Sequence, residues 1–163
     1  MYKCAIGQDS HRFDFTGDKP LILGGVNFSM HDPSLPALSA NSDGDVLLHA
    51  LTNAVSGITC RNILGKTADE MCRSGITDSK FYLKEALTDL NALGFKLTHI
   101  SFSVECKIPK MSPYMDEIRG SVSSVTGVPA SSVGITATSG EGLTSFGKGE
   151  GIFATCIVTA EKK

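Results

Sequence analysis

Apolar and polar positions follow two periods along the chain, and the switches between them mark its elements. Tyr2 to Gly7 and Leu21 to Val26 are short β-prone runs separated by the polar stretch Ser10 to Pro20, which carries the turn formers Thr16-Gly17-Asp18. The pattern predicts that these runs pair as a hairpin-like unit. Asn27 to Asn41 holds Pro33, Pro36 and several serines without a clean period, and reads as a surface loop of a length often found at functional sites. After Ser42-Asp43-Gly44-Asp45 a helical stripe begins: Val46, Leu47, Ala50, Leu51, Ala54, Val55 and Ile58. Ser42 with Asp45 three residues on resembles a capping box with Asp in place of Glu or Gln, which starts the helix at Ser42 and ends it near Gly57.

Gly65 to Gly75 is polar and poorly periodic, so it reads as a loop holding at most a short helical turn. Asp78 opens a second helix with Tyr82, Leu83, Ala86, Leu87, Leu90 and Leu93 at spacings of three and four, closed by Gly94. Ile100, Phe102, Val104 and Cys106 alternate with Ser101, Ser103 and Glu105, the pattern of a half-buried strand. Ser112 and Pro113 start a third helix with Ile118, Val122 and Val125 inward and Gly127 and Pro129 as its stop. Val133 to Thr138 and Ile152 to Ala160 read as final strands, joined by the glycine-rich Gly140 to Gly151. With no internal repeat, low-complexity tract or linker, the order predicts one α+β domain over residues 1–163.

Composition narrows the function classes. The chain has 163 residues, 41% hydrophobic and 20% charged, long enough to bury roughly 68 to 70% of its unfolded surface without staples. Seventeen acidic against fifteen basic residues give a net charge of -2, and no basic block or finger spacing points to nucleic acid. Cys4, Cys60, Cys72, Cys106 and Cys156 are odd in number and scattered, which fits a reducing compartment, the cytoplasm, or a plastid stroma after removal of a transit peptide. Met1 to Asp9 lacks the order of a signal peptide, and no apolar run approaches the ~18 residues of a membrane span.

Candidate chemistry lies in three places. Asp9 and His11, two apart on extended backbone, point to one side; alone, a pair so common by chance reads as a polar strand end before it reads as a metal site. His49, beside Leu48 and Leu51, reads as a half-buried helix residue or a ligand. Together Asp9, His11 and His49 supply one carboxylate and two imidazoles, a set that leaves zinc an open position. Asp45, one turn before His49, either caps the helix, accepts the second ring N–H of His49, or does both. His31 and His99 have no partner pattern. In Thr138-Ser139-Gly140-Glu141-Gly142, hydroxyls can donate to phosphate while Glu141 holds a hard divalent ion; the same residues also make a plain β-turn. Lys148 adds a cation near by. Ile108-Pro109-Lys110-Met111 is either a rigid pocket for a planar base or a strand-to-helix turn.

The ordered set Gly7-Gln8-Asp9-Ser10-His11-Arg12-Phe13, Leu23-Gly24-Gly25-Val26, Ser42-Asp43-Gly44-Asp45-Val46 with His49-Ala50-Leu51, Pro109-Lys110-Met111 and Gly147-Lys148-Gly149-Glu150-Gly151 resembles the 2-C-methyl-D-erythritol 2,4-cyclodiphosphate synthase family across the whole chain. The resemblance implies a mixed sheet covered by helices on one face, three copies packed around a threefold axis, and active sites between neighbouring subunits. It implies conversion of 4-diphosphocytidyl-2-C-methyl-D-erythritol 2-phosphate to the cyclic diphosphate with release of CMP. Asp9, His11 and His49 correspond to zinc ligands, one ion per chain, and Glu141 to the ligand of magnesium or manganese on the diphosphate. Thr138 and Ser139 correspond to phosphate-contacting hydroxyls, Ser139 in place of the usual threonine. Cys106, Pro109, Lys110, Met111 and Ser112 correspond to the cytidine pocket, and Ser42 and Gly65 to further substrate contacts.

Several positions depart from the family pattern. Asn41 replaces a histidine that contacts phosphate in the transition state, Lys148 a common arginine, and Thr155 a glutamate, the last two at the central trimer cavity. The 62–70 loop leaves Asp69 or Glu70 as the carboxylate for the erythritol hydroxyls. A phosphate oxygen of the substrate is itself the nucleophile, so no side-chain nucleophile is required. A catalytically weak zinc-containing paralogue on the same trimer is the other reading, while an unrelated zinc hydrolase is disfavoured by the absence of His-Glu-x-x-His. Association with other enzymes of the pathway is open.

Overall fold

In the computed structural model, which describes residues 1–163, the first strand does not stop at Gly7. β1 runs from Tyr2 to Asp14 because both edges are paired. One edge is antiparallel to β7 (Gly151–Lys162) from Tyr2↔Glu161 to Arg12↔Gly151, and the other meets β4 (Ala37–Leu38) at Phe13↔Leu38. Non-local pairing thus draws the polar residues Gln8 to Arg12 into a strand that local propensity alone does not extend. The expected hairpin with Leu21 to Val26 is absent. That run folds on itself instead: β2 (Ile22–Leu23) pairs with β3 (Val26–Asn27) around Gly24 and Gly25, whose φ values of +60 and +78 suit a two-residue turn that needs left-handed backbone at both positions. The expected loop from Asn27 to Asn41 also contains a short 3₁₀ turn, Phe28–Met30, and β4.

α1 spans Val46–Thr59 and is capped by Asp45, not Ser42. The Asp45 carboxylate accepts from Leu48 N at 3.0 Å, and also from Gly24 N at 2.8 Å and Gly25 N at 2.6 Å. One buried side chain therefore starts the helix and pins the β2–β3 turn. Residues 65–75, expected as loop, contain α2 (Lys66–Arg73); at eight residues it is too short to show a period. α3 (Ser79–Ala92) follows an Asp78 cap as the pattern predicts. β5 (Phe95–Glu105), α4 (Met115–Thr126) and β6 (Val133–Thr138) form a parallel β-α-β crossover, with Gly127 left-handed at the end of α4.

The sheet order is β4-β1-β7-β5-β6, with β5 and β6 parallel and the other neighbours antiparallel, a mixed sheet. α1 packs on β1 and β7, α3 against α1, and α4 against β6. The face they cover carries Ile152, Ala154, Cys156, Val158 and Ala160 of β7, all buried. On the opposite face Ile6 and Ile157 pair in register and are 63% and 48% exposed. All five cysteines are free thiols, and no helix is long and apolar enough to cross a membrane.

Candidate active site

The period of β1 sends Gly7, Asp9 and His11 to the helix-covered face, where α1 crosses. The crossing is close because Gly7 has no side chain: a Cβ there would lie 2.2 Å from Ala54 N and 2.3 Å from Ala50 O. That approach brings His49 onto the two strand residues. Asp9 Oδ2 lies 2.9 Å from His11 Nε2 and 3.1 Å from His49 Nδ1, and the two ring nitrogens are 3.1 Å apart. Three ligand atoms thus share one point, as the sequence predicts. Their separations are slightly tighter than the ~3.3 Å edges of a tetrahedron with ~2.0–2.1 Å metal bonds, so the set accepts an ion such as zinc after a small opening.

The surroundings support that use. His11 Nδ1–H donates to the carbonyl of Ser39 at 3.1 Å, which leaves Nε2 for the shared point. Burial pushes the Asp9 carboxyl up, but the hydrogen bonds and positive charge of His11 and His49 outweigh it and hold it at about 2. Burial likewise disfavours the His11 imidazolium, yet the Asp9 hydrogen bond and charge reverse this and raise its pKa. Without a cation a proton must occupy this cluster of acceptors; a divalent ion satisfies all three at once.

The triad forms the floor of a cavity of ≈370 Å3 whose walls include Asn41, Ser42, Gly65, Asp69, Cys72 and Tyr82. Lys19 Nζ donates to Ala40 O at 2.6 Å and Ser42 O at 3.0 Å and fixes the rim on which exposed Asn41 stands. Of the two acidic candidates on α2, Asp69 lines the cavity, while Glu70 is absent from its lining and lies 4.0 Å from Lys66. Asp45, expected as a partner of His49, is turned away to its backbone donors. The second nitrogen of His49 meets Ser79 instead, Nε2 to Oγ at 2.8 Å, and Ser79 is held by Asp43. Neither Ser79 nor Asp43 carries a spacing signal toward His49. His31, without an expected partner, meets Glu117 at 3.2 Å.

A second cavity of ≈360 Å3 gathers Cys106, Pro109, Lys110, Met111, Ser112, Thr138 and Ser139. The peptide bond before Pro109 is cis. Burial, and then the charge of Glu105, push the Cys106 thiol up to about 11, so it lines the pocket as a neutral group. Gly140 N donates to Thr138 Oγ1 and Glu141 N to Ser139 Oγ, at 3.2 and 3.3 Å, shaping a turn that leaves the Glu141 side chain exposed, with left-handed backbone at φ +50. Lys148 is exposed and lines neither cavity.

Comparison with known proteins follows the same lines. A model of the YgbB family matches residues 2–161. The 2-C-methyl-D-erythritol 2,4-cyclodiphosphate synthase of Chlamydia caviae is 45% identical over 161 residues, covering 98% of this chain and 89% of the relative. Among solved structures, the bifunctional IspDF from Campylobacter jejuni is 26% identical with a TM-score of 0.87; all of this chain matches, spanning 43% of that longer one. A CDP-bound form of a 2C-methyl-D-erythritol-2,4-cyclodiphosphate synthase is 28% identical with a TM-score of 0.80, over 98% of this chain and 100% of that one.

Proposed function

The chain belongs to the YgbB family of 2-C-methyl-D-erythritol 2,4-cyclodiphosphate synthases, and we propose that it performs that family's ring closure in isoprenoid biosynthesis. An oxygen of the 2-phosphate of 4-diphosphocytidyl-2-C-methyl-D-erythritol 2-phosphate bonds to the erythritol-side phosphorus of the diphosphate. The bond from that phosphorus to the CMP oxygen breaks, giving the 2,4-cyclodiphosphate and CMP. The observation that carries the reading is the meeting of Asp9, His11 and His49 at the floor of a cavity, in a chain matched to the family from end to end.

In this reading Asp9, His11 and His49 hold zinc and Glu141 holds magnesium or manganese, ions that supply charge neutralisation and alignment for phosphoryl transfer. Thr138 and Ser139 donate hydroxyls to phosphate oxygens, and Asn41 donates an amide N–H from the rim of the first cavity. Asp69 accepts from the erythritol hydroxyls. Cys106 to Ser112 receive the cytosine and ribose. Lys148 is kept only as a cation for long-range attraction. The free thiols suit a reducing, cytoplasmic setting.

The register argues that two copies build each site. Thr138 pairs with Glu105, Glu105 with Phe153 and Phe153 with Ser10, so Thr138 lies three strands from the residue between Asp9 and His11. That is about 14 Å at ~4.8 Å per strand, and it points to the opposite face. One diphosphate cannot span the gap inside one chain. A homotrimer closed over the Ile6 and Ile157 face supplies the missing half from a neighbour and covers exposed apolar surface. Incubation of the purified chain with substrate and magnesium, followed by phosphorus NMR, tests the reading. CMP and cyclic diphosphate are expected, and substrate loss no faster than in an enzyme-free blank overturns it.

A further inference from the structure

We propose that Asp43 and Ser79 are positioning residues of the metal site, which together dictate which ring nitrogen of His49 carries the proton. The proposal rests on the reading of Asp9, His11 and His49 as metal ligands. Ser79 has one hydroxyl proton and Asp43, as a carboxylate, only accepts. Asp43 Oδ1 takes the Ser79 hydroxyl proton and also the Asp45 N–H at 3.1 Å, while Oδ2 takes the Ser79 N–H at 3.0 Å. With its proton committed to Asp43, Ser79 Oγ offers only a lone pair to His49 Nε2, 2.8 Å away. Nε2 is therefore the donor.

In the neutral ring, which has a single N–H, His49 Nδ1 then keeps its lone pair for the point it shares with Asp9 Oδ2 and His11 Nε2, where a cation sits or, without one, a proton of the cluster. Water cannot take over the task, because Ser79 is 0% and His49 7% exposed, and the other hydroxyl near Nε2, Ser42 Oγ, stands off at 3.5 Å against 2.8 Å for Ser79. His11 is set independently by the Ser39 carbonyl. Both imidazoles are thus poised for a cation by partners that are not themselves ligands. The same Asp43 carboxylate holds the first residue of α3, so the bonds that anchor that helix also place Ser79 under His49. Removing the carboxylate has a specific consequence. In Asp43→Asn, a single amide oxygen is left for the backbone N–H groups of Ser79 and Asp45 and for the Ser79 hydroxyl, so the hydroxyl proton is no longer committed and can turn to His49 Nε2, which admits the Nδ1–H form.

The test combines nitrogen-15 NMR of histidines in the zinc-free full-length chain with zinc competition titrations against a chelator, on wild type, Ser79→Ala and Asp43→Asn. Expected are Nε2–H at His49 in wild type, zinc affinity weakened 10–100-fold in Ser79→Ala, and in Asp43→Asn a gain of the Nδ1–H form with a similar loss of zinc. A wild type that binds zinc but whose His49 Nε2 carries no proton in the zinc-free chain overturns the proposal without any variant. So do Ser79→Ala and Asp43→Asn proteins that both hold zinc within twofold of wild type, since Ser79 and Asp43 then serve only to anchor α3. A wild type that binds no zinc overturns the metal reading itself, and this proposal with it.

Discussion

Gly7→Ala tests how the metal site is assembled, because the glycine sits where α1 crosses β1. The added Cβ would lie 2.2 Å from Ala54 N, 2.3 Å from Ala50 O and 2.7 Å from Asn53 C. All are backbone atoms of one helix, so no rotamer change relieves them. Ordinary contact begins at 3.4 Å, and α1 must therefore retreat by about 1.2 Å. Overpacking of this kind costs about 1–3 kcal/mol, against a gain of about 0.4–1 kcal/mol from the stiffer unfolded chain. The net loss of ~1–2 kcal/mol lowers the urea midpoint by roughly 1 M at a slope of ~1–3 kcal/mol/M. Ala50 is the neighbour of His49, so the retreat also opens the 2.9–3.1 Å triangle of ligand atoms. Metal bonds tolerate about 0.2 Å, and zinc affinity should fall at least about tenfold. Gly120→Ala is the control: nothing lies within 4 Å of its Cβ on α4, and it should stabilise by ~0.5–1 kcal/mol with zinc unchanged. Urea titrations of the zinc-free proteins and zinc competition titrations give both numbers. A Gly7→Ala chain that unfolds and binds zinc like wild type refutes the idea that the close crossing builds the site.

Other outcomes follow from the same geometry. Glu141→Gln should abolish turnover while zinc content, read by elemental analysis, stays at the wild-type level, because an amide is a poor ligand for a hard cation. Asn41→His should raise turnover modestly, since a charged donor binds phosphate about twice as strongly as a neutral one, and Asn41→Ala should lower it by less than about 10² to 10³; steady-state CMP release with wild-type rates in Asn41→Ala sinks that role. Burial, and then the Asp43 charge, push Asp45 up to about 6 against its backbone donors, from 3.8 unfolded. The folded chain therefore holds a proton that the unfolded chain releases, and the contribution of Asp45 to stability is full below pH 3.8 and falls by about 3 kcal/mol as pH rises through 6. Unfolding titrations of wild type and Asp45→Asn from about pH 4 to about pH 7 should show their difference drifting by that amount, and parallel curves count against a raised Asp45.

What the sequence could disclose was set by how local each cause is. The apolar stripe of α3 and the alternation in β5 and β7 encode burial directly, and α3 and β7 fall where the pattern puts them, while β5 begins at Phe95, before the alternation from Ile100 that announces it. The grouping of Asp9, His11 and His49 was also legible, since a spacing of two on a strand and a histidine on a helix stripe are local facts. β1 beyond Gly7 was not, because what makes Gln8 to Arg12 a strand is a partner more than a hundred residues away in β7. Asp45 shows a subtler failure. A spacing of four correctly puts it one turn from His49, but an N-cap side chain is claimed by the free N–H groups of its own helix, and here by Gly24 and Gly25 as well. The orienting role passed to Ser79, 30 residues on, whose only local signal is that it follows the Asp78 cap. Asp43 supplies the physical link: it stands just before the start of α1 and bonds to the first residue of α3, so the order of caps at two helix starts sets the chemistry of one imidazole. That coupling follows from the convergence of two helix ends, which no periodicity along a single segment can express.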